Sequence, residues 1–140
     1  MSIPPVLRSV DAVTVPVPNL DRGLEFYADQ LGHQLLWRND DLGQAGLRLP
    51  DSETELVLTT SQKYAPNWLV SSVDEAIVAV QAAGGAVLHP PTDIAVGRLA
   101  VVSDPFDNAL VLLDLSKGRY QTDEKGSVIG VDAAEPGRGD

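Results

Sequence analysis

Apolar and polar positions along the chain change period twice in the same order. Val13, Val15 and Val17 alternate with Thr14 and Pro16, the period of a strand buried on one face. After Asn19, which suits a helix N-cap, Leu20, Leu24, Tyr27 and Leu31 follow at i, i+4, i+7 and i+11. Gly32 stops that helix. Residues 35–38, 45–49 and 55–59 then read as three strands between loops rich in Asp, Gly and Pro.

The order recurs with an offset of 53 residues. Residues 68–70 form a short strand, Ser72-Val73-Asp74-Glu75 is a capping box, and Ala76, Ile77, Val80 and Ala83 make an apolar helical face. Gly84-Gly85 ends it, and residues 86–88, 99–102 and 109–115 are the matching strands. One such unit leaves a sheet face bare, so two are expected to pair. The pattern predicts an α+β domain over residues 1–115, made of two tandem βαβββ modules at about 8–60 and 65–115. Residues 116–140 carry five glycines among charged side chains, with only Val128, Ile129 and Val131 apolar, and are expected to be an irregular C-terminal extension. Ile3 to Leu7 suits an arm, because Pro4 and Pro5 keep it out of a central strand.

Composition narrows the partners. The 140 residues carry a net charge of −10 with no clustered Lys or Arg, which disfavours nucleic acid and anionic membranes. Cysteine is absent, so neither disulfides nor thiolate chemistry is available. No apolar run approaches the roughly 20 residues of a membrane helix, and the N-terminus lacks a secretory pattern; a cytoplasmic location is expected. A small-molecule ligand and a second copy of the chain remain as partners.

Two stretches resemble a known family. Val10-Asp11-Ala12-Val13-Thr14-Val15-Pro16-Val17, then Asn19-Leu20 and Phe26-Tyr27-Ala28-Asp29-Gln30-Leu31-Gly32, resemble the opening module of glyoxalase/bleomycin-resistance/dioxygenase (vicinal oxygen chelate) proteins. Val73-Asp74-Glu75-Ala76, Ala83-Gly84-Gly85, Pro90-Pro91, Gly97-Arg98 and Asp104-Pro105-Phe106-Asp107-Asn108 resemble the second module, with Asp107 where the family usually has Gly. The resemblance covers roughly residues 8–115. It implies a mixed sheet curled around a shared cavity, with His and Glu or Gln metal ligands on the first and last strand of each module in the metal-using members.

Carried over, those ligand positions fall on Ala12, Ala65, Val57 and Val111, with Glu55 in place of Val57 if the register moves by two. None of the four has a donor atom, and a site needs several His or carboxylate ligands converging at about 2.0–2.2 Å. A metal-free cavity without a cofactor is therefore implied. His33 reads as a core or rim residue, and His89 stands at a strand end before Pro90-Pro91.

The inward parity selects Thr14, Val57, Asn67, Leu69 and Val111, with Ala12, Thr59 and Ala65, as cavity residues, and Arg48 and Glu55 near the mouth. Trp37 and Tyr64 offer stacking surface or packing, Trp68 belongs under the second helix, and Arg98 is a loop cation. Such a set suits a small aromatic or cationic molecule. The leading reading is a homodimeric binding protein like the metal-free bleomycin-binding members, with the N-terminal arm as a candidate for exchange. One alternative is a metal-independent lyase or isomerase using His89, Glu55 or Tyr64 for proton transfer. Another is a metal-dependent glyoxalase or dioxygenase in a shifted register.

Overall fold

The computed structural model describes residues 4–132, which form an α+β fold of two βαβββ modules lying in two compact units. The first unit comprises Asp11–Pro66 and Tyr120–Gly130; the second is built on Asn67–Arg119 and includes residues 4–10.

In the first module β1 (Ser9–Pro16) leads into α1 (Leu20–Leu24), then β2 (Leu35–Asn39), β3 (Gln44–Arg48) and β4 (Glu55–Thr59). The strands lie in the order β2-β3-β4-β1, with β1 parallel to β4 and the other pairs antiparallel. Asn19 caps α1 as its type predicts, its Oδ1 accepting from Arg22 N–H at 2.9 Å. The helix does not keep its period. Residues Glu25–Gln30 widen into a π-helical turn, with Leu31 N–H donating to Phe26 C=O five residues back. That widening corrects one expectation: Leu20 is buried and Leu24 and Tyr27 pack on the sheet, but Leu31 is turned out and 53% exposed.

Val15, Ala45, Leu47 and Leu58 form the core under α1, with Val13, Val17, Leu35 and Leu56 around them. Leu47 and Leu58 are fully buried. Each contributes about 2 kcal/mol, and a slip of one residue would turn both to the other face. The strand parity read from Val13, Val15 and Val17 is the one observed.

The second module repeats the plan: β5 (Ala65–Leu69), α2 (Val73–Ala82), β6 (Ala86–Ile94), β7 (Gly97–Ser103) and β8 (Ala109–Asp114). Here the order is β6-β7-β8-β5, with β5 parallel to β8. Ser72 Oγ accepts from Glu75 N–H at 3.2 Å, and Ala76 and Ile77 are buried against Ala100, Val102 and Leu112. Trp68 and Val6 pack on the same core. β6 runs further than expected, through Pro90-Pro91, with two register irregularities; prolines are tolerated there because β6 is the outer strand of its module.

The expectation of an irregular extension from Ser116 is corrected. Arg119–Thr122 (β9) and Val128–Asp132 (β10) pair as a hairpin around a turn in which Asp123 Oδ1 accepts from Lys125 and Ser127 N–H. Gly126 takes φ +85°, a conformation that favours glycine. Residues 133–140 lie outside the described residues.

Candidate functional site

On the face of the first module opposite α1, cross-strand registers align side chains in rows. Thr14, Val57, Gly46 and Trp37 form one row, and Ala12, Glu55 and Arg48 the next. The centre is Trp37. Its indole lies over Gly46, where any Cβ would collide with the ring, so glycine is required by close approach rather than by a turn. Trp37 Nε1–H donates to Glu55 Oε1 at 2.6 Å, a charge-assisted bond that fixes the carboxylate.

Of the two readings of Trp37, stacking surface or packing, the structure shows packing. Trp37 is 8% exposed and clusters with Ala12 and Val57 beneath Leu36, Tyr120 and Val128, the last two supplied by the β9–β10 hairpin. The Tyr120 ring lies 4.8 Å from the indole, tilted by 46°. Burial pushes the Tyr120 phenol pKa up, against the opposing effect of a hydrogen bond with the Asn39 side chain. Sequence reasoning missed Tyr120. The available signal was Asp123-Glu124-Lys125-Gly126, a hairpin turn between Tyr120 and Val128.

Thr14 is buried as well, and its hydroxyl is directed at the carbonyls of Lys63 (2.6 Å) and Ala65 (3.1 Å), which makes it a tie to the β4–β5 loop. Tyr64, on that loop, is 71% exposed.

An open recess of about 600 Å³ lies beside this row, lined by Leu36 and residues 48–55. Glu55 and Arg48 are cross-strand partners at its edge, and Asp51 and Glu53 join them, setting three carboxylates against one guanidinium. Leu36, Leu49 and Pro50 supply the apolar wall.

In the second module the equivalent row is Asn67, Val111, Val101 and His89, with Leu69 beside Leu113 in the next. Asn67 is buried, while His89 is exposed with Nδ1 3.0 Å from Pro90 C=O. Arg98 is committed to Asp74 (3.3 Å) and Asp93 (3.1 Å) rather than standing as a loop cation. Of the three candidate proton carriers, Glu55 and Tyr64 belong to the first unit and His89 to the second.

The residues present do not fit a metal. Ala12 and Val57 are buried in an apolar cluster, Val111 faces Asn67, and Glu55 is the one carboxylate in these rows. Among the described residues no group of three or more His, Asp or Glu is placed to hold an ion. Among those residues, too, no helix is long and apolar enough to cross a membrane.

A model of the Glyoxalase/Bleomycin resistance protein/Dioxygenase superfamily matches residues 9–112. Among solved structures the chain is similar to methylmalonyl-CoA epimerase from Mycobacterium tuberculosis, at 21% identity and TM-score 0.61, over 81% of this chain and 92% of that one. It is similar to a hypothetical protein from Bacillus halodurans, at 17% identity and TM-score 0.63, over 83% and 98%. A third likeness is a variant of Streptomyces coelicolor methylmalonyl-CoA epimerase in complex with 2-nitronate-propionyl-CoA, at 19% identity and TM-score 0.61, over 77% and 97%. At such identities the likeness establishes the fold. No curated protein matches the chain.

Proposed function

Given that the chain belongs to the glyoxalase/bleomycin resistance protein/dioxygenase superfamily, we propose that it is a metal-independent binding protein for a small cationic molecule, held in the first-module recess. One observation carries this reading: Glu55 stands at the recess edge with its carboxylate fixed by the Trp37 indole. A carboxylate already oriented spends less of its binding energy on ordering itself when a cation arrives. The apolar wall of Leu36, Leu49 and Pro50 gives a hydrocarbon body somewhere to lie. The volume is within the range usual for small-molecule sites. The net charge of −10 adds long-range attraction for a cation.

Catalysis draws no comparable support. A proton-transfer enzyme needs a second polar group converging on the same reacting atom, whereas Tyr64 is 71% exposed and His89 lies at the exposed outer strand of the second module.

The test is a calorimetric titration with butylamine, repeated with EDTA present. Saturable one-site binding, unchanged by EDTA and weakened at least about tenfold in Glu55→Gln, is the expected result; tenfold corresponds to about 1.4 kcal/mol. Glutamine keeps an acceptor for the Trp37 N–H and so preserves the local fold. Absence of saturable binding, or binding that EDTA abolishes, would sink the reading.

A further inference from the structure

The β9–β10 hairpin holds an aromatic ring against the indole that orients Glu55. Tyr120 stacks on Trp37, Val128 packs beside it, and Arg38 N–H donates to Gly126 C=O at 2.7 Å, next to a bridge between Arg38 and Ser127. On the other face Gln121 is exposed and Ile129 is 63% exposed. A two-stranded hairpin is marginal by itself, so its docking depends on contacts such as those with Trp37 and Arg38.

From Tyr120, Trp37, Asn39 and Glu55, resting on the cationic-ligand reading above, we propose that Tyr120 is an internal stand-in for the ligand's ring, and that the ligand is an arylalkylamine whose binding displaces the hairpin. The occupant defines the class. A phenol is accommodated over the indole, with its oxygen within reach of Asn39. The indole N–H is 2.6 Å from the carboxylate. An aromatic ring in the place of Tyr120, joined by a short chain to an ammonium, satisfies the indole face and Glu55 together. Tyr120 then acts as a tethered competitor, which lowers the apparent affinity by the fraction of molecules whose hairpin is docked.

Tyramine is the probe, because it carries both a phenol and a primary ammonium; p-cresol and butylamine carry one each. Saturating tyramine is expected to raise amide exchange across residues 119–132 of the wild-type protein severalfold and to shift the Trp37 emission. Butylamine, which seats only the cation, is expected to leave that exchange unchanged. Tyr120→Ala is expected to bind tyramine about tenfold more tightly than wild type, with Tyr120→Phe in between. If the alanine variant does not fold, the wild-type exchange measurement still decides. Tyramine binding that depends on Glu55 but leaves the hairpin's exchange unchanged overturns the displacement proposal and leaves the binding reading standing. Binding of neither amine overturns both.

Discussion

The two modules share a backbone plan and a register, and they differ in what fills the same row. Thr14-Val57-Gly46-Trp37 in the first corresponds to Asn67-Val111-Val101-His89 in the second. Where the first has no side chain at Gly46, the second has Val101; where the first lays an indole across the sheet, the second ends in an exposed imidazole. A repeated backbone therefore fixes where side chains point without fixing chemistry. The helices differ in the opposite sense. α2 is a regular helix whose first turn is tied to the sheet by Asp114, whereas α1 opens into a π turn. The second module ties its helix to its sheet through a buried carboxylate, and the first carries the recess and the hairpin packed on Trp37.

The largest expected effect breaks that staple. Asp114 is 3% exposed, and its carboxylate accepts from Val73 N–H (2.9 Å), Arg98 N–H (3.0 Å) and Ser116 Oγ–H (2.8 Å). Asp114→Ala strands buried donors on α2 and β7 and is expected to cost about 3 kcal/mol in urea unfolding. The first-module position in the same register is Thr60, which is exposed; Thr60→Ala is expected to cost under about 1 kcal/mol. Equal losses would remove the asymmetry. The pH dependence follows from the same contacts. Burial pushes the Asp114 pKa up, but the hydrogen bonds from Val73, Ser116 and Arg98 outweigh it and hold the carboxyl below its ordinary range. A carboxyl whose folded pKa is depressed stabilises above its unfolded pKa of about 3.9, and that stability is lost as pH falls through the folded value. Wild type is therefore expected to lose stability in acid more steeply than Asp114→Asn.

A substitution that makes the rows alike comes next in size. Gly46→Val gives the first module the residue of the second and drives Trp37 off the sheet. Overpacking of this kind is expected to cost about 2–3 kcal/mol. Trp37 emission should move to the red, and butylamine affinity should fall with the loss of the Trp37–Glu55 bond. A variant that keeps both emission and affinity would show that Glu55 does not depend on the indole. The reverse change, Val101→Gly, is expected to cost about 1–2 kcal/mol through lost burial and chain entropy, with no effect on amine binding.

These asymmetries explain what the sequence disclosed. Local signals were readable because their causes are local: the Asn19 and Ser72 caps, the alternation of Val13 to Val17, and the Glu55–Thr59 strand match. The offset of 53 residues carries Thr14 to Asn67, and their partners Val57 and Val111 correspond one residue further on, so the register is shared. What was hidden depends on long-range packing. Trp37 reads equally as stacking surface or as rim or dimer-interface packing until Tyr120 is placed over it, more than eighty residues later in the chain. β9 is short and mostly polar, and β10 is five residues long and interrupted by Gly130, so their pattern competes poorly with the glycines around them. The recess is a loop shape, set by how residues 49–54 close between β3 and β4, and no period encodes it.

The smallest expected effect concerns that same connection in its second-module form. Where residues 49–54 make an open recess, residues 104–108 make a tight turn: Asp104 Oδ1 accepts from Phe106 N–H (2.8 Å) and Asn108 N–H (2.9 Å), and Oδ2 from Asn108 Nδ2 (2.8 Å). Asp107 closes the turn at φ +69°, as a non-glycine residue in the left-handed region. Asp107→Gly relieves that backbone at the cost of a more flexible unfolded chain, so the two effects nearly offset and a gain of about 0.5 kcal/mol is expected. Asp107→Ala keeps a Cβ without the short polar side chain that tolerates the conformation, and is expected to lose about 1 kcal/mol. Urea unfolding of the pair measures the difference. If alanine and glycine prove equal, backbone strain is not what distinguishes this turn from the recess loop, and the Asp104 hydrogen bonds alone hold it closed.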